Sequence, residues 1–208
     1  MVTRVHPNVG VTAALEQDAI LMLRVKEGDG QSFELLLQKY RLPLVNYLHR
    51  MIQNQPIAEE LSQEVFLRVY RARGTYEPTA KFTTWLFRIA THLALNSIRD
   101  RRHERTHRSI AEESDGRQPI ELVDHRSNRE QEMVADTRLQ LVRNAIADLP
   151  EKQRAAVLMH KYEDLDYAQI GEVLGCSVSA VKSLLFRAYE MLRVRLAHLA
   201  ADQKARCK

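Results

Sequence analysis

A segment near the C-terminus combines small, polar and basic residues at helical spacing, a set suited to contacting DNA. Ser179, Ser183 and Arg187 recur every four residues on one predicted helix face, and Lys182 lies at its edge. Small side chains allow close approach to a groove, hydroxyls bond phosphates or base edges, and cations pair with phosphate or guanine. The candidate duplex-DNA contacts are Ser177, Ser179, Ala180, Lys182, Ser183 and Arg187.

Two short helices joined by a tight turn would position this face. Asp166 and Gln169 have the spacing of a capping box at the start of the first helix. Gly175 predicts its end, because glycine adopts the left-handed conformation without a Cβ clash, and Ser177 predicts the N-cap of the second helix. The sequence therefore predicts a helix-turn-helix, although the pattern alone fits a plain pair of helices with a solvated outer face equally well.

A second basic face is predicted on a helix over residues 82–102. Residues 81–110 contain seven Lys or Arg and two Asp or Glu, and an aromatic-bearing loop precedes the helix. Such a loop beside a basic helix is typical of single-stranded nucleic-acid sites, where unstacked bases enter pockets or stack on rings. In the alternative interpretation Trp85 belongs to the core and the arginines are merely solvated. The candidate residues are Tyr76, Lys81, Trp85, Arg88, His92, Arg99 and Arg102.

A third candidate surface lies on the predicted helix over residues 57–73, which carries carboxylates and aromatics on one side. Carboxylates and aromatics together suit docking on a basic protein partner better than contact with DNA. The alternative is that Phe66 and Tyr70 pack on another helix of the same domain. The candidate docking residues are Glu59, Glu60, Gln63, Glu64 and Phe66.

Composition and periodicity predict an all-α protein of two small helical domains joined by a flexible linker. The chain has 208 residues, 45% of them hydrophobic, which is enough for real cores. Apolar residues recur at helical spacing, except in an acidic segment poor in large apolar residues. The predicted units are a tail (1–17), a first domain (18–104), an acidic linker (105–133), a four-helix domain with the helix-turn-helix (134–198) and a second tail (199–208).

Several classes of function are disfavoured by what the chain contains. Its two cysteines, Cys176 and Cys207, offer neither a disulfide framework nor paired metal-ligand spacing. No apolar run is long enough to span a bilayer, and no secretory signal is evident. We therefore predict a cytoplasmic protein without membrane insertion, cofactor or resident metal.

One short motif points to an enzyme instead. His103, Glu104 and His107 fit H-E-x-x-H, which on a helix places two imidazoles together for zinc and a carboxylate as general base. The motif lies among four arginines, whose charge opposes a bound dication, and no third-ligand motif follows. A zinc hydrolase is therefore the remote alternative, and no catalytic residue is assigned.

In combination these segments resemble the extracytoplasmic-function (ECF) sigma factors of bacterial RNA polymerase. The resemblance covers roughly residues 18–197 in order and at family spacing. It is carried by the blocks at residues 59–70, 82–96, 149–154, 167–177 and 181–188. The resemblance implies a non-catalytic specificity subunit that directs core polymerase to a specific promoter set.

The same resemblance implies a role for each domain. The first domain would dock on the polymerase clamp, then melt and read the minus-10 element, with a flipped base in the loop pocket; Asn96 joins the minus-10 residues by matching a family position. The second domain would place the helix after Ser177 in the minus-35 element and lean on the polymerase flap. Leu184 departs from the pattern, because many members carry a basic residue there. An anti-sigma partner is also implied.

A helix-turn-helix regulator that binds operators without polymerase is the nearer alternative. Such a regulator has no need of the acidic helix around Glu59 and Phe66. Association with core polymerase therefore distinguishes the two interpretations.

Overall fold

The structure, a computed structural model, describes residues 16–111 and 139–197, with backbone alone at 105–111. Most of both predicted tails and most of the acidic linker lie outside these ranges. The described residues form helices and short connections without a strand, which confirms the all-α prediction. In chain order the helices are α1 (Gln17–Lys26), α2 (Gly30–Ile52), α3 (Gln55–Arg71), α4 (Phe82–Ala111), α5 (139–147), α6 (Glu151–Tyr162), α7 (Tyr167–Leu174) and α8 (Val178–Arg195).

Helices α1 to α4 pack around a core rich in aromatic and large aliphatic side chains. Asp29 caps the start of α2 by accepting hydrogen bonds from the backbone N–H groups of Gln31 and Ser32. Tyr47 is fully buried and its hydroxyl meets Thr91 Oγ1 at 2.7 Å, so its one polar atom is satisfied. Each large side chain buried in this way stabilises the fold by about 1.5 to 3 kcal/mol.

Helix α1 is fixed to α2 by a buried carboxylate. Asp18 is 3% exposed and accepts hydrogen bonds from the Tyr40 hydroxyl at 2.5 Å and from Lys39 Nζ at 2.7 Å. Burial, first, and the Asp18 carboxylate, second, raise the pKa of Tyr40, so this hydroxyl stays a donor. The ring of Tyr40 packs on Phe82 at 5.5 Å, which connects α2 to the start of α4.

Helix α4 extends nine residues beyond its predicted end at Arg102, to Ala111. The extension contains no glycine or proline to stop it, and the first glycine after it is Gly116. The beginning of the predicted linker is therefore helical. Helix α3 ends at Arg71, two residues before its predicted end at residue 73, and a 3₁₀ helix, Ala72–Thr75, follows it.

Helices α5 to α8 form the four-helix unit predicted for the C-terminal part. Its core contains Leu149, Leu158, Met159, Ile170 and Val181, all at most 2% exposed. Helix α7 packs against α4, and α6 packs against α2, so the two units share one continuous apolar core. Among the described helices, none is long and apolar enough to cross a membrane.

Candidate nucleic-acid interface

The helix-turn-helix forms as the sequence predicts. Asp166 and Gln169 make the reciprocal capping box, each backbone N–H meeting the other's side-chain oxygen at 2.9 Å. Gly175 ends α7 with φ +64°, in the left-handed region that favours glycine. A Cβ on Gly171 would lie 2.7 Å from the Cys176 carbonyl oxygen, so the turn requires glycine there as well. These features hold α7 and α8 at a short, sharp turn.

The outer face of α8 is exposed and basic. Ser177 caps the helix at the backbone N–H of Ala180, and the hydroxyls of Ser177 and Ser179 lie 2.9 Å apart. Ser183 donates back to the Ser179 carbonyl at 3.0 Å, which occupies its proton and leaves its oxygen free to accept. Of the six predicted contacts, Ala180 is half-buried. The other five are exposed: Ser177, Ser179, Lys182, Ser183 and Arg187.

Phe186 belongs to this face, although the sequence reasoning did not assign it there. Its side chain is 67% exposed and lines a shallow depression of about 390 Å³ with Lys182, Ser183 and Arg187. Its spacing, three residues after Ser183 and four after Lys182, would have placed it there. Leu184, by contrast, is half-buried against the core, so its apolar side chain is explained by packing.

The basic face of α4 is exposed along most of its length. Arg88, His92, Asn96 and Arg99 are all exposed. Arg99 donates to Asn96 Oδ1 at 3.1 Å, which holds the two side chains together. Arg102 pairs instead with Glu151 of α6 at 2.8 Å, so this predicted DNA contact is engaged by a carboxylate.

A pocket of about 290 Å³ lies between the loop before α4 and the first turns of that helix. Trp85 is half-buried on its wall, and Arg88 and Thr84 also line it. Tyr76, predicted as a DNA contact, is only 4% exposed and packs on Phe82 and Trp85 at 6.4 and 5.0 Å. Tyr76 is therefore a buried wall of the pocket and not an open stacking surface.

A hydrogen bond holds the loop to α1: Lys26, at the end of that helix, donates to the Tyr76 carbonyl at 3.0 Å. The hydroxyls of Tyr76 and Thr84 are buried and find no hydrogen-bond partner among the described residues, and burial raises the pKa of Tyr76. Lys81, the remaining predicted residue here, is exposed and outside the pocket lining.

The acidic side of α3 borders an open groove of about 1050 Å³ between α2 and α3. Phe66, predicted to dock, is 7% exposed and packs edge-on against Phe33 at 6.4 Å. The alternative considered for Phe66 is thus what the structure shows. The large apolar side chains exposed beside the groove are instead Leu42, Leu67 and Tyr70, at 67%, 49% and 43%.

Two of the four polar docking candidates, Glu59 and Gln63, line this groove. Glu59 accepts from Gln55 at 2.7 Å and, like Gln63, lines the groove. Glu64 accepts from Arg68 at 2.7 Å, and that hydrogen bond lowers the pKa of Glu64. Glu60 is exposed on the same helix. The arrangement offers apolar area with carboxylates at its edge, which suits a basic helical partner.

The H-E-x-x-H segment lies in α4, with His103 and Glu104 exposed. The side chain of His107 is outside the described residues. Among the side chains that are described, no three His, Cys, Asp or Glu residues come together as metal ligands.

The described helices form two units, each with an exposed basic face, and both units are similar to known proteins. Residues 36–104 match the family described as Sigma-70 region 2, and residues 139–192 match Sigma-70, region 4. The RNA polymerase sigma-H factor of Pseudomonas aeruginosa is 32% identical over 178 residues, covering 85% of this chain and 92% of that protein. The ECF RNA polymerase sigma-E factor of Haemophilus influenzae is 31% identical, over 86% of this chain and 95% of that protein.

Solved structures share the fold. CnrH in complex with the cytosolic domain of CnrY aligns at a TM-score of 0.64 and 19% identity, over 90% of this chain and 99% of that one. The sigma factor RpoE in complex with the anti-sigma factor NepR, from Bartonella quintana, aligns at a TM-score of 0.63 and 20% identity. The alignment covers 80% of this chain and 98% of that one. The chain belongs to the sigma-70 family of RNA polymerase sigma factors, in its ECF group.

Proposed function

We propose that this sigma factor brings core polymerase to promoters by reading two elements with the two faces described above. The pocket before α4, with Arg88 and Trp85 on its wall, accepts an unstacked base of the minus-10 element. The exposed cations that follow along α4 track the single strand. The observation that carries the proposal is a base-sized pocket at the start of α4, beside the exposed basic face of that helix.

Helix α8 reads the minus-35 element in the major groove. Lys182 and Arg187 supply phosphate or guanine contacts, and the serines allow close approach. Phe186, exposed between them, supplies an apolar contact of the kind that a thymine methyl group accepts. The exposed face of α8 thus supplies cations for phosphate or guanine and an apolar side chain for a thymine methyl group.

The groove between α2 and α3 docks the chain on the polymerase clamp. Leu67 and Tyr70 supply apolar area, and Glu59 and Gln63 at the edge set the register against a basic helical surface. The helix-turn-helix domain leans on the polymerase flap. Tethering both DNA faces to one enzyme turns two weak readers into a bivalent one.

In this proposal the chain is a non-catalytic, cytoplasmic subunit with an anti-sigma partner. Two solved structures of the same fold hold a bound partner chain, one of them named as an anti-sigma factor, which supports that expectation. A helical anti-sigma segment could occupy the same α2–α3 groove only in competition with polymerase.

The test is to mix the chain with bacterial core polymerase and genomic DNA fragments, capture the assembly, and sequence the enriched DNA. We expect fragments that share two short elements at one fixed spacing, and no enrichment by the chain alone. If the chain without polymerase enriches the same fragments, it acts as a polymerase-independent regulator and the proposal is wrong.

A further inference from the structure

Helix α1 contacts the elements on both sides of the loop before the pocket. It packs against the 3₁₀ helix Ala72–Thr75, which precedes that loop, and against α4, which follows it. Met22 and Val25 on its inner side are at most 1% exposed. Lys26 is the last residue of α1, and its Nζ donates a hydrogen bond to the carbonyl of Tyr76 at 3.0 Å. One side chain therefore joins α1 to a loop residue 50 positions later in the chain.

Tyr76 is the loop residue whose ring forms a buried wall of the pocket. The centroid of that ring lies 5.0 Å from Trp85 and 6.4 Å from Phe82. The Tyr76 hydroxyl finds no hydrogen-bond partner among the described residues, so it does not hold the ring in place. The main chain does: the Tyr76 N–H donates to the Arg73 carbonyl at 3.2 Å, and the Tyr76 carbonyl accepts from Lys26.

The two main-chain hydrogen bonds of Tyr76 differ in what they fix. The bond to Arg73 is local and moves with the loop, whereas the bond from Lys26 comes from another helix. The donor in this second bond is an ammonium group, and hydrogen bonds with a charged partner are stronger than neutral ones. Helix α1 is itself fixed at its other end, where the buried Asp18 carboxylate accepts from Tyr40 of α2. Lys26 thus extends to the loop from a rigid support.

We infer that Lys26 is a positioning residue for recognition of the minus-10 element. It holds the carbonyl of Tyr76, and through it keeps the Tyr76 ring against Trp85 as the wall of a preformed pocket. Lys26 does not contact the base itself in this arrangement. The inference rests on the proposed function, because it concerns the pocket that accepts the unstacked base.

The consequence follows from preorganisation. A loop already held in its binding position loses little conformational freedom when a base enters, and a loop that must first be ordered binds more weakly. Loss of the Lys26 bond should therefore weaken the contribution of the base that enters the pocket. Contacts of the exposed cations on α4 with phosphate, and of α8 with duplex DNA, should persist.

The test uses the full chain assembled with core polymerase, on a promoter fragment that this assembly selects. Each base of the minus-10 non-template strand is replaced in turn by an abasic site. Open-complex formation is followed by the permanganate reactivity of unpaired thymines. The position where the abasic site causes the largest loss marks the base that enters the pocket. Lys26→Met is then compared with the unsubstituted chain on the intact fragment and on that abasic fragment.

We expect Lys26→Met to slow open-complex formation about three- to tenfold on the intact fragment. On the abasic fragment, where no base fills the pocket, the same substitution should cause no further loss. This non-additivity separates a positioning role from a general loss of stability, which would lower the rate on both fragments equally. Equal losses on the two fragments, or no loss on the intact one, would overturn the inference.

Two further variants control for charge. Arg24→Met removes one positive charge from an exposed position in the same turn of α1, and should behave as the unsubstituted chain does. Lys26→Arg keeps a charged donor and should restore most of the rate on the intact fragment. If Arg24→Met reproduces the loss seen with Lys26→Met, the effect is one of overall charge and the inference is wrong.

Failure of the proposed function would look different. If no abasic site in the minus-10 strand slows open-complex formation, the pocket accepts no base, and both the proposed function of the pocket and this inference are wrong. If one abasic site does so and Lys26→Met still has no effect on the intact fragment, only the inference is wrong.

Discussion

The guanidinium of Arg154 bonds the main-chain carbonyl of Met51, 103 residues earlier in the chain. It also donates to the carbonyls of Ala147 and Leu149 at the connection between α5 and α6. The last carbonyls of a helix have no partner within the helix, so one arginine satisfies both the end of α2 and this connection. Arg154 therefore has two roles, one within the helix-turn-helix unit and one between the two units.

Replacement of Arg154 by methionine should lower the free energy of unfolding by about 2 to 4 kcal/mol, because three part-buried carbonyls lose a charged donor. Urea unfolding followed by far-UV circular dichroism measures the change. The matched control is Lys152→Met, an exposed position in the same helix turn, which should change stability by no more than about 0.5 kcal/mol. Equal effects of the two substitutions would contradict this role.

Glu163 makes stability depend on pH. Burial raises the pKa of Glu163 to about 7, Arg50 opposes that rise, and Asp164 adds to it. Between the unfolded pKa near 4.5 and the folded value, the folded chain binds more protons, so stability falls as pH rises through that window. Glu163→Gln should remove this slope and stabilise the chain at pH 8 by about 1 to 2 kcal/mol, allowing for partial exposure. Thermal unfolding at several pH values measures the change. The same dependence of stability on pH in Glu163→Gln and in the unsubstituted chain would contradict this prediction.

The groove between α2 and α3 should determine affinity for polymerase. Leu67→Ala removes an exposed apolar side chain from the groove and should weaken binding to core polymerase by about tenfold, without loss of stability. Leu35→Ala is the matched control, because Leu35 is as exposed and lies outside the groove lining. Fluorescence anisotropy with labelled chain provides both affinities. A larger loss for Leu35 than for Leu67 would place the docking surface elsewhere.

On α8, the charge of Arg187 and the apolar ring of Phe186 should contribute to minus-35 duplex binding in ways that can be measured separately. Arg187→Met should weaken minus-35 duplex binding by the assembled polymerase and reduce the salt dependence of that binding by about one released counterion. Phe186→Ala should leave the salt dependence unchanged and lower discrimination among bases, because it removes no charge. Duplex affinities measured at several salt concentrations distinguish the two. A change of salt dependence in Phe186→Ala would argue against an apolar contact.

The sequence predicts local features of this fold well and contacts between distant elements poorly. The capping box of Asp166 and Gln169 and the turn at Gly175 depend on neighbouring residues, and both form as predicted. The burial of Phe66 and Tyr76 depends on Phe33 and Phe82, which come from other helices. Aromatic residues are common on both docking surfaces and cores, so type and spacing alone could not place these two.

That Glu172 lines the same pocket as Arg88 could not be predicted from the sequence, for the same reason. The two residues lie on helices of different units, and no periodicity connects them. The end of α4 differs from its prediction for another reason: the change in composition after Arg102 is not a helix stop signal, since no glycine or proline occurs before Gly116.

Transcription by the reconstituted enzyme shows whether the chain selects promoters. Core polymerase with and without the chain is given genomic DNA and nucleotides, and the 5′ ends of the transcripts are sequenced. We expect discrete start sites that appear only with the chain and follow two shared upstream elements. Those starts should disappear with the double variant Lys182→Met and Arg187→Met. Identical start sites with and without the chain would contradict the claim that it selects promoters.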